Sequence, residues 1–334
     1  MTEVSQRAQQ LRRAVVDCLT PAPTIVACSG GPDSLALVAS AAWAVPHLGQ
    51  EVHVVVVDHG LQEGSDRIAH EAAEAARSLG VDDVRIRRVQ VGSAGGPEAA
   101  AREARRSALL DVAEELSVEQ ILLGHTRDDQ AETVLMRLAR GSGARSISSM
   151  RECDPPWHRP FLDIPREVVH RVALEYLEPL GIVAWDDPHN HDPVYTRVRV
   201  RNALRSLESD LGAGLVVGLS RSAHLLSDDA DALDSWAQGA FDTTVGCFNG
   251  GCHASVDALA DLPRAVRTRV LRLMHSTVAA GDDQLDFDLV RRVEAMVSHW
   301  KGQGPAKLPG AVTARVECGR LVLDRTSPGD SSAT

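Results

Sequence analysis

The sequence predicts an α/β chain in which a doubly wound parallel sheet is followed by a helical connector and a small α+β unit. Three observations lead there. Short β-branched runs alternate with helical patterns over the first 206 residues, the mark of right-handed βαβ crossovers. Glycine and polar residues gather where those runs end, and an open parallel sheet places its ligands beyond the carboxyl ends of its strands. After position 206 the charge divides. Nine acidic residues and one basic residue, Arg221, lie between Leu207 and Asp261, whereas Leu262 to Arg325 carries eleven basic and seven acidic residues. The expected segments are therefore a first domain 1–206, an acidic helical connector 207–260, a small domain 261–325 and a disordered tail 326–334. A length of 334 residues fits more than one core, since single cores stop growing near ~250 residues.

Taken in order, Val4 to Leu19 has apolar positions at helical spacing, and Pro21 with Pro23 ends that helix. Thr24 to Cys28 is an apolar run suited to a buried strand. It stops in Ser29-Gly30-Gly31-Pro32-Asp33-Ser34 and restarts as helix at Leu35, Leu37 and Val38. In such a turn the glycines let backbone approach a ligand, Pro32 fits an early helical position, and the first helical N–H groups lack partners. The expected guest is a phosphate or pyrophosphate. A Walker loop is excluded, because the spacing and lysine of G-x-x-x-x-G-K-[ST] are missing. Val52 to Val57 reads as a second buried strand, delivering Asp58 and His59 to the same end of the sheet. Ser65 to Leu79 is an alanine-rich helix closed by Gly80, Val84 to Val91 a strand, Pro97 to Leu116 a helix and Gln120 to Gly124 a strand. On the helix from Pro97, the spacing of Glu98, Ala101, Arg102 and Arg105 puts both arginines on one face. After the last strand comes Gly124-His125-Thr126-Arg127-Asp128-Asp129-Gln130-Ala131-Glu132-Thr133. Thr126 or Asp128 can cap the next helix, while Asp129 and Glu132, at i and i+3, can hold Mg²⁺ or take a proton.

Composition narrows the function classes. The polar stretch Met1 to Arg13 does not read as a signal peptide and no membrane span is visible, so a cytoplasmic protein with no membrane partner is expected. Six cysteines include no C-x-x-C pair, which argues against a zinc ribbon, an iron–sulfur cluster or a thioredoxin-like site. Cys247 and Cys252 are read as incidental thiols in a glycine-rich loop. The net charge of −11 disfavours a nucleic-acid partner only until it is located: Tyr195 to Arg205 holds four arginines and no acid, as a phosphate-contacting surface would. Trp157, Phe161, Trp185 and Tyr195 are interleaved with arginines and suit either a core or a base-binding cleft.

S-G-G-P-D-S at Ser29 to Ser34 resembles the pyrophosphate loop of the ATP pyrophosphatases. With V-D-H-G-L at Val57 to Leu61, E-x-x-A-R-x-x-R at Glu98 to Arg105 and H-T-R-D-D-Q-A-E-T at His125 to Thr133, the chain resembles bacterial tRNA(Ile)-lysidine synthetase. R-G-S-G from Arg140, R-P-F-L from Arg159, W-D-D-P-H-N from Trp185 and R-N-x-x-R from Arg201 continue the likeness in the same order, to about Asp231. Weaker matches at Leu262 to Ala265 and Lys307 to Gly310 resemble that family's small C-terminal domain. Two departures touch tRNA contacts: Arg106 stands where a tyrosine is common, and Glu208-Ser209-Asp210 replaces a basic-proline stretch.

The resemblance implies a ligase of the ATP-pyrophosphatase fold that joins L-lysine to C2 of the wobble cytidine in the CAU anticodon of tRNA(Ile). It would act through an ATP-dependent adenylated base, releasing pyrophosphate and AMP. It implies ATP binding by Ser29, Gly30, Gly31, Pro32, Asp33, Ser34, Asp58, His59, Gly124 and His125, with Mg²⁺ on Asp33 and Asp129. Asp33, His125, Asp129, Glu132, Arg102 and Arg105 are the expected catalytic set, and Arg199, Arg201 and Arg205 the expected tRNA contacts. Asp33→Ala and Asp129→Ala are each expected to abolish adenylation without disturbing the fold. The competing readings are a tRNA thiolase of the same superfamily and a non-catalytic ATP- or tRNA-binding module. The oligomeric state is left open, a homodimer among the options.

Overall fold

The computed structural model describes residues 5–62, 64–92, 96–141, 143–148, 150–279 and 285–325; the tail expected at 326–334 lies outside them. The chain forms two compact units, Met1–Ser227 and Asp228–Thr334.

The first unit alternates as its hydrophobic pattern demands. Its elements are α1 (Gln6–Cys18), β1 (Thr24–Cys28), α2 (Pro32–His47), β2 (Val52–Asp58), α3 (Ser65–Ser78), β3 (Asp83–Arg88), α4 (Pro97–Leu116) and β4 (Gln120–Leu122). There follow α5 (Arg127–Ala139), α6 (Ala144–Ile147), β5 (Cys153–Asp154), β6 (Trp157–His158), α7 (Arg166–Leu177) and α8 (Thr196–Leu211), and α9 (Leu215–Thr244) runs across the division between the units. The sheet order is β3-β2-β1-β4-β6-β5, parallel except for the β5 edge. Strand order therefore reverses at β1, and the crevice beyond the carboxyl ends of β1 and β4 is the switch point at which such sheets bind ligands.

Period-two alternation explains why β1 is apolar throughout: Val26 and Cys28 pack into the core that holds α2, while Ile25 and Ala27 face the cluster of Leu109, Val112 and Ile121. Helix α2 is buried nearly all round because β1 covers one side and α1 and α7 cover others. Each fully buried Leu or Ile here, such as Leu37 or Ile25, contributes about 1.5–3 kcal/mol. Register at the far end is pinned by Gln120, whose amide nitrogen donates to the Ala22 carbonyl and to Thr24 Oγ1, each at 2.7 Å.

In the second unit, β7 (Val245–Phe248), β8 (Gly251–Ser255), β9 (Ala306–Leu308), β10 (Val312–Glu317) and β11 (Arg320–Arg325) form an antiparallel sheet in the order β7-β8-β11-β10-β9. Helices α10 (Val256–Ala260), α11 (Arg264–Val278) and α12 (Phe287–Ser298) belong to the same unit, whose core includes Val266, Val270, Met274, Val293, Leu321 and Leu323. The stretch 207–260, read from its acidity as a helical connector, is helical to Thr244 apart from a break at 212–214, and then supplies the β7–β8 hairpin and α10. Cys247 and Cys252 stand opposite each other in that hairpin rather than in a loop, and the Cys252 Sγ donates to the Met274 carbonyl at 3.5 Å. Surface acidity does not reveal a strand whose other face is buried. Among the described residues no helix is long and apolar enough to cross a membrane.

Candidate active site

The β1–α2 turn is built from backbone and hydroxyls. Gly30 has φ +80°, a conformation that L side chains rarely adopt, and a Cβ there would lie 3.0 Å from Ala72 Cβ on α3. The Gly30 carbonyl accepts from the Trp185 N–H at 2.9 Å. Ser34 Oγ accepts from the Ser29 N–H at 3.1 Å and from Ser29 Oγ at 3.2 Å, and donates to the Gly31 carbonyl at 2.9 Å. These bonds hold the loop open around the α2 N-terminus, whose free N–H groups and dipole favour an anion. A cavity of about 360 Å³ beside Gly30 is lined by Leu35, Ile68, Ala72 and Trp185 among others. Asp33, in the first turn of α2, places Oδ1 3.1 Å from His170 Nε2 on α7, within ion-pair range but without hydrogen-bond alignment.

Gly124 joins this turn to the next. A Cβ on Gly124 would lie 3.1 Å from the Asp33 carbonyl oxygen and 3.3 Å from the Ser34 nitrogen, so a larger residue there would have to push the loop backbone away. The following helix is capped reciprocally: Thr126 N–H and Thr126 Oγ1 both donate to Asp129 Oδ2 at 2.8 Å. Asp129 Oδ1 accepts from Arg166 Nη2 at 2.7 Å. Arg166 also donates through Nη1 to Glu132 Oε1 at 3.0 Å, and Arg201 Nε donates to the same oxygen at 2.8 Å. Glu132 is buried, and the Asp129–Arg166–Glu132–Arg201 chain is nearly enclosed. Asp128 turns away to accept the Arg166 backbone N–H at 2.8 Å, and Arg127 N–H reaches the Ile164 carbonyl at 3.0 Å. Through these contacts segment 164–166 is fastened to the start of α5.

The charges set the protonation states. Burial alone would raise Asp129, but Arg166, then His125 and the Thr126 N–H, hold it down to about 2. Burial followed by the guanidinium groups of Arg105, Arg159 and Arg197 pushes His125 down to about 3 against the opposing pull of Asp129, so its imidazole is neutral at pH 7. Burial, then Arg102, Arg197 and Arg106, lowers Arg105 to about 10, and burial with Arg102 and Arg106 lowers Arg159 to about 10 although Asp154 opposes it. Burial works against the charge on Arg166, and Asp129 and Glu132 overcome it, raising its pKa. These guanidinium groups lie close enough to repel one another. His59 is also lowered by burial and then by Arg105.

Gly124 lies against the Asp33–Ser34 backbone, charge interactions link His59 and Arg102 to Arg105, Arg105 to His125 and His125 to Asp129, and Asp129 shares Arg166 with Glu132. Asp58 sits differently: Oδ1 accepts the Gly60 N–H at 2.9 Å, and its carboxylate is engaged by Ser65 and Arg88, so it shapes the β2 turn. Arg201, one of the expected tRNA contacts, pairs with Glu132. Arg199 lies on the exposed side of α8, donating to the Pro193 and Val194 carbonyls at 2.7 Å, and Arg205 is exposed. Trp157 and Phe161 are core residues, with the Arg106 guanidinium 4.4 Å from the Trp157 ring centre. Sequence reasoning missed Arg166, Arg159 and His170. Arg166 had only one signal, its place shortly after R-P-F-L; His170 had none. The capping role of Asp129 was legible, since T-x-x-D matches the acidic capping-box pattern.

The PP-loop domain family matches residues 2–208. The tRNA(Ile)-lysidine synthase of Thermobifida fusca is 48% identical over 314 residues, 94% of this chain and 95% of the relative. The corresponding enzyme of Streptomyces coelicolor is 46% identical over 91% of this chain and 86% of its own, and that of Mycobacterium tuberculosis 46% identical over 90% and 87%. Among solved structures, the U34-tRNA thiolase NcsA from Methanococcus maripaludis with its 4Fe-4S cluster matches with a TM-score of 0.56 at 18% identity. The match covers 66% of this chain and 80% of that one, a likeness of fold alone.

Proposed function

The chain belongs to the tRNA(Ile)-lysidine synthase family of PP-loop proteins, and we propose from that premise how its crevice carries out the reaction. It is an ATP-binding ligase that joins lysine to tRNA(Ile). In the proposed course, the C2 carbonyl oxygen of the wobble cytidine in a CAU anticodon attacks the α-phosphorus of ATP and pyrophosphate leaves. The lysine ε-amine then attacks C2 and AMP leaves. The observation that supports this reading is the close approach of Gly124 to Asp33, which sets the anion loop beside the segment that begins at His125.

The loop N–H groups, Ser29 and Ser34 hold the β- and γ-phosphates. Arg102, Arg105 and Arg159 stabilise charge that builds at the α-phosphorus, and neutral His125 donates or accepts one hydrogen bond there. The donor set fits magnesium at Asp33 rather than at Asp129, because both Asp129 oxygens are already engaged. Mg²⁺ held by Asp33 and triphosphate oxygens would neutralise charge on the departing pyrophosphate. Presenting the lysine amine neutral at pH 7 costs about 4.6 kcal/mol without assistance. Asp129 and Glu132 are the carboxylates that would orient the ammonium and take its proton, and each must exchange an arginine contact to do so. The first 206 residues would form the catalytic domain and residues 261–325 the part that grips tRNA, in the cytoplasm.

The test combines purified protein, ATP, Mg²⁺ and unmodified tRNA with or without lysine. AMP release that requires both lysine and tRNA is expected. AMP release dependent on a sulfur donor, or no pyrophosphate release under any condition, would overturn the reading.

A further inference from the structure

Helix α11 carries four arginines, and its core uses two of them. Arg267 is buried against Glu294 at 2.7 Å, and Arg269 reaches Asp234 at 2.6 Å. Arg264 and Arg272 remain, spaced with Thr268 at i, i+4 and i+8 along one stripe. Facing them, α12 presents Phe287, Val290 and Arg291 at i, i+3 and i+4, and together these residues line an open groove of about 430 Å³. Val290, Val293, Met296 and Val297 bury the apolar face of α12, whereas Phe287 is 68% exposed and adds little to the core. The Arg291 guanidinium lies 5.8 Å from its ring centre. Among the described residues no acidic side chain forms an ion pair with Arg264, Arg272 or Arg291; Arg272 donates to the Leu285 carbonyl. Asp286 and Asp288 flank the ring in sequence; Asp286 caps α12 by accepting the Leu289 N–H at 2.7 Å, and its charge also attracts Arg272.

An exposed aromatic face bordered by three guanidinium groups suits an unstacked nucleotide, whose base stacks on the ring while neighbouring phosphates meet the cations. An acidic peptide would use the cations and leave the ring idle. We propose that the α11–α12 groove is an RNA site that stacks one unpaired nucleotide of the tRNA substrate on Phe287 and holds its flanking phosphates on Arg264, Arg272 and Arg291. The proposal rests on the tRNA reading above.

The test is binding of the full-length protein to unmodified tRNA(Ile) across a salt series, with thermal unfolding followed on the same samples. Phe287→Ala should weaken binding about tenfold, and Phe287→Tyr should retain the wild-type affinity. Arg264→Ala and Arg291→Ala should each lower the log–log salt slope by about 0.7–0.9. Arg320→Ala, which removes an exposed charge on β11, should leave binding unchanged. Wild-type affinity and slope in both Phe287→Ala and Arg291→Ala would overturn the groove, as would an equal loss in Phe287→Tyr or Arg320→Ala. A wild-type protein that does not bind tRNA(Ile) would overturn the tRNA reading and the groove with it.

Discussion

Two turns at the carboxyl ends of neighbouring strands face one crevice, and they are held by opposite means. The β1–α2 turn consists of backbone groups, two serine hydroxyls and one carboxylate that lies within ion-pair range of His170. The β4–α5 turn is a closed ionic lattice in which every oxygen of Asp129 and Glu132 faces a donor. The first turn has its donors ready for a ligand and little internal charge to satisfy. The second satisfies itself, so its charges serve the fold and the reaction together. Side chains of like chemistry therefore differ in what their removal costs.

The largest effect should come from breaking the lattice. Arg166→Ala leaves two buried carboxylates without their shared cation, a loss of about 3–5 kcal/mol. It should lower the thermal midpoint by about 6–20 °C and abolish lysine-dependent AMP release. Asp129→Ala should follow it, because the cap is lost as well, which corrects the sequence-based expectation that this substitution spares the fold. Asp33→Ala sharpens the contrast. Its activity should fall by about 10²–10³-fold while stability changes by at most about 1 kcal/mol, since its ion pair is partly exposed. Equal thermal losses in Asp33→Ala and Arg166→Ala would erase the distinction.

Acid provides a subtler probe of the same lattice. His125 is held below its ordinary value, so the unfolded chain binds the proton first; stability should fall as pH drops below about 6.5 and level off near pH 3. Asp129 is also depressed: its contribution is fully present above about pH 4 and is lost as pH falls through about 2. Urea unfolding of His125→Gln should lack the first slope, and a wild-type slope in that variant would show that the imidazole does not carry it. The smallest effects belong to exposed positions on α8. Arg199→Ala and Arg205→Ala should leave ATP affinity unchanged and lower the tRNA salt slope by about 0.7–0.9 each; an unchanged slope would remove them from the tRNA contacts.

What the sequence determined by itself was local: the glycine pair with Pro32 that frees helix N–H groups, the alternation that makes a parallel sheet, and the acids set at i and i+3 on α5. Such features are legible because their physics acts over one turn or one strand. The pairing of Arg201 with Glu132 was hidden for the same reason, since a run of arginines gives an inventory of charge but not its partners. At i and i+4 from Arg197, Arg201 lies on the inward face of α8, and only folding brings it onto Glu132, 69 positions earlier in the chain. Arg166, 37 positions after Asp129, likewise carried no local mark of its role. The β7–β8 hairpin was hidden in an acidic stretch because its burial depends on β11, contributed by the far end of the chain. Tertiary structure decided these matters because a buried ion pair or an antiparallel strand is selected by whatever the fold brings alongside it, and distance along the sequence does not constrain that choice.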